Sequence, residues 1–367
     1  MQLGSFALAG LLLYLALRGV DLSRMGDAFR TADYRWLAPL IGVALFSLGL
    51  RAWRWQVLLQ ALPPDAASGA TGDATDDARA PTVHFSDAFT SLTIGYMVNY
   101  AAPRLGEVAR TANLSARAQL SFSAIFGTVV IERVLDMAVL LLALLSVIPI
   151  MWPQLPAIRQ SFIEPALDRL AELPFAWLAL IGGGLLVLTL GLVGWAYRAL
   201  QDQSSAMRQL WTSTVQPALV AFRNGVSTLW RSPRRGVLVG TTLGMWGGYV
   251  LMAYWPFVML GTAEPYAITL VDAWALMAIG ALGIVVPSPG GVGSYHFITT
   301  EALIILFGMP RADAATYAVL THAAQFVLFV AGGLLCLLWQ GVSVRALQRR
   351  TRRAETETAP PSDSPTT

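Results

Sequence analysis

An all-helical, polytopic membrane bundle is the fold class this sequence predicts, built from two inverted repeats that each carry a broken, re-entrant helix pair. Three observations lead there. Of the 367 residues, 55% are hydrophobic and 13% charged, where a soluble domain has about 25% charged residues. Apolar runs long enough to cross a bilayer, about 20 residues each, recur along the chain, and the mean hydropathy is +0.57. Finally, one run in each half is interrupted by proline and glycine.

The clear spans are read at about 3–19, 36–58, 119–149, 176–197, 236–260 and 313–340. The first lacks both a basic leader and a small-residue cleavage site, so it reads as a retained span rather than a signal peptide. Residues 85–101 are short and polar for a span and run into AAPRLGE. Residues 268–286 run into PSPGGVG and then a second short apolar helix at about 294–308. Each half therefore reads span, span, helix–break–helix, span. Paired interrupted helices at corresponding positions point to an inverted-repeat transporter and its site.

The domain expected from this is residues 1–340, with repeats over 1–150 and 175–340. Residues 63–82, rich in Pro, Gly, Ala and Asp, read as a flexible insert. Residues 341–367 read as a basic and then disordered tail. Arginines crowd the 198–235 connection and the tail, which places the C-terminus in the cytoplasm of a bacterial-type plasma membrane. Two N-terminal topologies stay open, because Arg24, Arg30 and Arg35 sit in a connection that one of them makes external.

Composition excludes several functions. All 25 basic residues are arginine and the net charge is +3, so Schiff-base chemistry, a P-loop lysine and a nucleic-acid partner are not expected. One cysteine, Cys336, allows no disulfide, and three scattered histidines (His84, His296, His322) show no metal spacing. No cofactor and no metal are expected.

Four constellations carry chemistry. In Asn99 to Arg110, Pro103 and Gly106 break the helix, Arg104 and Arg110 suit a phosphate or carboxylate, and Glu107 and Arg110 share a face. An ordinary loop with interfacial arginines is the other reading. In Glu132-Arg133-Val-Leu-Asp136, three charges lie inside a long apolar helix, at about 2.5–3.5 kcal/mol each on insertion scales. They form either a network along a polar pathway or a static bridge, with Arg133–Asp136 and Glu132–Arg104 as pairings. Pro287, Pro289, Gly290, Gly291 and Gly293 end one helix and open another, whose amide end can hold an anion; His296 lies in its first turn. Arg51, Arg54 and Trp55 read first as a membrane-interface anchor. Gly240, Gly244 and Gly248 read as close helix packing, and Cys336 and His322 as buried structural residues.

Taken in order, RxxRW, NxxxPxRxGExxR, ERxxD and PxPGGxG resemble the lysylphosphatidylglycerol synthase transmembrane region. The matching residues are Arg51, Arg54 and Trp55; Asn99, Pro103, Arg104, Gly106, Glu107 and Arg110; Glu132, Arg133 and Asp136; and Pro287, Pro289, Gly290, Gly291 and Gly293. The resemblance implies a flippase-like protein that moves phospholipid or a related anionic polar lipid between leaflets. It does not imply lipid lysylation, which in that family's bifunctional members belongs to a separate soluble domain. One departure is His296, where the family commonly carries glutamate. The expected partners are membrane phospholipids.

A second reading is a non-catalytic accessory protein for envelope lipid or glycolipid synthesis, partnered by a lipid- or glycan-modifying enzyme. An intramembrane enzyme using Glu132, Asp136 or His296 is a third, and the weakest, for no nucleophile–base pair is visible. The chain is thus read as a non-enzyme.

Overall fold

A computed structural model describes residues 2–62, 82–102, 105–152, 164, 168, 234–285 and 288–341. Two compact units divide the chain, Met1–Ile150 with Pro233–Thr367, and Met151–Ser232. The described helices belong to the first. Among the described residues there is no strand. The expected span at 176–197, the 198–235 connection except Arg234 and Arg235, the 63–81 part of the insert and the tail beyond Gly341 lie outside the described residues.

Helix α1, Gln2–Leu17, is apolar on all sides and ends before Gly19, whose φ of 74° turns the chain. Helix α2, Leu22–Thr31, leaves at an angle of 84° to it. The 20–35 connection is therefore partly helical. Asp21 starts α2 by accepting from the amides of Ser23 and Arg24, an N-cap worth about 1 kcal/mol. Arg24 ties α2 to the far end of the chain through Asp313 at 3.0 Å.

A short turn, Tyr34–Trp36, leads into α3, Leu37–Leu59. Asp33 caps this turn, and the Arg35 guanidinium holds its carboxyl below the ordinary value. Four described helical segments are long and apolar enough to cross a membrane: Tyr34–Leu59, Phe122–Ile150, Arg235–Met259 and Arg311–Trp339. Their exteriors carry exposed Leu141, Leu142, Leu243, Leu335 and Leu338, the surface a hydrocarbon solvent calls for and water does not. The expected spans at 36–58, 119–149, 236–260 and 313–340 coincide with these segments to within a few residues.

Between the spans lie two helical hairpins. Helices α4 (Phe85–Ala101) and α5 (Leu105–Ala118) run antiparallel: Asn113 donates to Ser91 at 2.9 Å, and Arg117 pairs with Asp87 at 2.8 Å. A Cβ on Gly106 would sit 2.2 Å from the Gly95 carbonyl oxygen, so glycine is what lets the two backbones touch. After α6 (Phe122–Ile150) and α7 (Arg235–Met259), the second hairpin joins α8 (Leu270–Val285) to α9 (Ser294–Phe307) through the turn Pro289–Gly291. Helix α9 stops at Gly308, whose φ of 63° allows the left-handed cap, and Pro310 precedes α10, Arg311–Trp339.

Helices α3 and α7 pack closely. A Cβ at Gly248 would meet Ser47 Oγ at 2.0 Å and one at Gly244 would meet Leu50 Cδ1 at 2.8 Å, whereas Gly240 faces open space. Two of the three glycines in the expected packing motif therefore serve it. Buried Trp55, Leu59, Leu92, Leu114 and Ile125 join α3, α4, α5 and α6 in one apolar core, while Phe257, Leu276, Leu303 and Tyr317 join α7 to α10 in another.

Candidate functional site: a buried ion network beside a cavity

Charges that the sequence scatters over three helices, α3, α5 and α6, gather around Glu132. This carboxylate, fully buried on α6, accepts from Arg51 Nε at 2.8 Å and from Arg110 Nη1 at 2.9 Å. Asp136, one helical turn on, accepts from Arg54 Nη2 at 2.5 Å and is paired with Arg51 as well. Arg133 donates to Glu107 Oε1 at 2.6 Å. Among the described residues, four guanidinium groups thus face three carboxylates, leaving one surplus positive charge.

Neutral groups complete it. Arg51 donates to Tyr249 Oη and Arg54 to Thr242 Oγ1, each at 3.2 Å. Arg110 lies 4.8 Å from the centre of the Trp55 ring, a cation–π contact that strengthens when water is excluded, and Trp55 donates to Thr128 at 3.0 Å. Asn99 reaches back from α4 to accept the Gly106 amide at 2.8 Å, one of the amides that the start of α5 leaves without an intrahelical partner.

Several expected pairings are corrected by this geometry. Arg133 does not pair with Asp136 but with Glu107, and Arg110, on one face of α5 with Glu107, reaches Glu132; each finds an acid on another helix. Residues three apart on one helix are neighbours, but a pair made within one helix leaves the charges of the neighbouring helix without partners. Glu132 is held by Arg51 and Arg110. Arg104, its expected partner, lies outside the described residues, as do Pro103 and Pro287. Arg51 and Arg54 are not interfacial anchors either: they are 6% and 0% exposed, and Trp55 is 0% exposed. Only Trp53, 46% exposed, keeps the interfacial habit.

Beside the network opens a cavity of about 550 Å³, within the range of roughly 300–1,000 Å³ typical of small-molecule sites. Arg51, Glu107, Arg133 and Asp136 are its charged walls, and Asn99 borders it too. Tyr96 and Tyr100 face it from α4, Trp246 and Tyr249 from α7, Tyr295 from α9. The second helix break borders it through Ser288, Gly290 and Gly291, and the ends of α4 and α5 that flank the first border it through Tyr100 and Glu107. The end of α4 touches the second break: a Cβ on Gly290 would lie 2.3 Å from Tyr100 Cδ1, and its φ is +56°, so only glycine fits on both counts.

Arg54, Arg110 and Glu132 stand behind this wall and do not border the cavity. The expectation that Arg110 faces the groove is corrected accordingly: it is 2% exposed and committed to Glu132 and Trp55. His296, also expected at the groove, instead accepts the Gly293 amide through Nδ1 at 3.4 Å and lies against His322, with ring centres 4.7 Å apart. Position N3 of a helix directs a side chain back to its own cap, which is why His296 turns away from the cavity. Pro289, Gly291 and Gly293 shape the break itself.

The aromatic wall was not foreseen. Its signal is present in the sequence: Trp246, Tyr249 and Ala253 recur at helical spacing along one span, as do Tyr317, Thr321 and Gln325 along another. Polar-tipped side chains on one stripe of a span face the bundle interior.

A helical membrane protein with a buried ion network beside an aromatic cavity is the class that fold and site define. A family model described as lysylphosphatidylglycerol synthase TM region matches residues 2–333, and the chain belongs to that family. No curated protein and no solved structure matches it.

Proposed function

We propose that this protein moves a polar lipid with an anionic headgroup between the leaflets of a membrane, and that it is a transporter rather than an enzyme. The observation that carries this reading is the juxtaposition of the cavity with a network holding one surplus positive charge. Buried ionisable groups are costly in a bilayer and mark polar pathways. The surplus charge favours a single negative charge in the cavity, while the acyl chains stay in the hydrocarbon.

In this reading the α4–α5 and α8–α9 hairpins are re-entrant elements of two inverted repeats, entering from opposite faces and meeting at the Tyr100–Gly290 contact. At 1.5 Å per residue, α5 with its 14 residues reaches about 21 Å, short of the ~30 Å hydrocarbon core. The arginine-rich C-terminal tail stays in the cytoplasm of a bacterial-type plasma membrane, and membrane phospholipids are the partners.

Liposomes holding purified protein and phospholipids labelled on the headgroup test the reading. Dithionite quenching reaches the outer leaflet alone in empty vesicles and both leaflets where the protein exchanges lipid. Exchange no faster than in empty vesicles, across anionic and zwitterionic headgroups, refutes it.

A further inference from the structure

We infer that His296 is an acid-released cap on the second helix break: neutral, it holds the break in place, and protonated it lets the break move. The effect on leaflet exchange rests on the transport reading; the cap itself does not. His296 lies on α9 three residues past Gly293, and its Nδ1 accepts the Gly293 amide at 3.4 Å, a long bond that is easily lost. Gly293 is where the chain turns into α9, at a φ of +81°, and a Cβ there would lie 2.2 Å from the Ala9 carbonyl oxygen. The cap therefore fixes a turn on which the α1 backbone rests.

Three effects make a proton release it. A neutral imidazole accepts at one nitrogen, whereas the imidazolium donates at both, so a proton on Nδ1 sets donor against donor. The free amides at the start of a helix form its positive end, which repels a cation in the first turn. Beside the cap lies His322 of α10, with ring centres 4.7 Å apart; it is 8% exposed, and its Nε2 has no hydrogen-bond partner among the described residues. A charge on either ring is thus buried against a second imidazole.

No acid stands ready to take that charge. Tyr100 faces His322 from α4 and Tyr295 from α9, with ring centres at 6.0 and 5.7 Å. Charged groups on the helices around the pair are held elsewhere: Asp272 of α8 by Thr269, Glu301 of α9 by Arg311 of α10, and Asp313 of α10 by Arg24. Asp87 of α4 pairs with Arg117, the Tyr317 hydroxyl of α10 donates to the Ala253 carbonyl, and Tyr14 of α1 is exposed. The cap is therefore present at neutral pH and lost as pH falls through the titration of the pair. Tyr100 and Tyr295 line the cavity, and Tyr100 packs against Gly290 of the same break. A released break draws away from Tyr100, which opens the cavity on that side and speeds exchange.

The test is amide hydrogen exchange of the full chain in lipid nanodiscs, read by mass spectrometry at about pH 8 and about pH 4.5, beyond both ends of the ordinary imidazole range, and corrected for intrinsic rates. Peptides covering 289–300 should exchange severalfold faster in acid, and those of α7 should not change. His296→Gln accepts the same amide without titrating and should stay slow at both values, whereas His296→Phe cannot accept and should be fast at both. His84, exposed at the start of α4, is the third histidine of the chain, and His84→Gln should respond as wild type does. A wild-type break equally protected at both values overturns the inference, as does a response that survives His296→Gln or is lost in His84→Gln. Vesicles labelled in the outer leaflet, held at each pH, then neutralised and quenched with dithionite should show exchange severalfold faster in acid. No exchange at either pH sinks the transport reading alone, since the amide measurement does not need it. Exchange that is present and indifferent to pH overturns this inference alone.

Discussion

Glu132 on α6 accepts from Arg110 on the hairpin helix α5 at 2.9 Å, and neither reaches solvent or the cavity. The pair locks the first hairpin to a long span from behind, while the second oxygen of Glu132 takes Arg51. Replacing the carboxylate by an amide strands buried Arg110 and leaves Arg51 with Asp136 alone. Glu132→Gln should lower stability by about 3–5 kcal/mol, read as a fall in melting temperature by fluorescence-detected size exclusion. A melting temperature equal to wild type means the cluster is hydrated and weakly coupled.

Arg54 and Asp136 give a test of opposite sign. Arg54→Met alone leaves Asp136 with Arg51 as its remaining cation and should destabilise in the same range, about 3–5 kcal/mol. Adding Asp136→Leu removes the carboxylate left with one cation in place of two and should restore much of the loss, because apolar replacement of a whole buried pair is often neutral or stabilising. Arg51 then keeps Glu132. A double variant no more stable than Arg54→Met shows that the pair is not coupled energetically.

Much of this architecture was legible from apolar run length, since a helix must cover the hydrocarbon and its ends fall where that requirement is met. Helix α4, Phe85–Ala101, was read to its residue, because Pro103 and Gly106 punctuate it. Partners were less legible. That Arg133 reaches Glu107 and Arg51 reaches both Glu132 and Asp136 depends on which helix faces are brought together, and spacing along one helix says nothing of that. Arg51 and Arg54 misled for a related reason: arginine beside tryptophan is the composition of an interface, and only packing against α6 and α7 shows them buried.

Gly290 supplies a prediction about the contact between the second break and the end of α4. Its positive φ disfavours any side chain by about 1–2 kcal/mol, and a Cβ would lie 2.3 Å from Tyr100 Cδ1. Gly290→Ala should therefore lower stability by at least that amount and slow leaflet exchange. Combining it with Tyr100→Ala removes the clash and leaves the backbone strain, so part of the stability should return. Equal melting temperatures for the single and double variants rule out the contact as the cause.

Arg133 separates transport from folding. Its guanidinium borders the cavity and pairs with Glu107, and the two side chains are 38% and 22% exposed. Solvent screens a pair this open, so Arg133→Gln should cost no more than about 1 kcal/mol of stability. The same substitution removes the surplus positive charge, leaving three guanidinium groups against three carboxylates. If that surplus draws the anionic headgroup, exchange of anionic lipid should fall severalfold while zwitterionic lipid is unaffected, at matched protein density in the vesicles. Adding Glu107→Gln restores the original net charge and should recover anionic exchange without re-forming the ion pair. Recovery by the double variant assigns the effect to the charge balance of the cavity. A double variant as slow as Arg133→Gln assigns it to the Arg133–Glu107 contact instead.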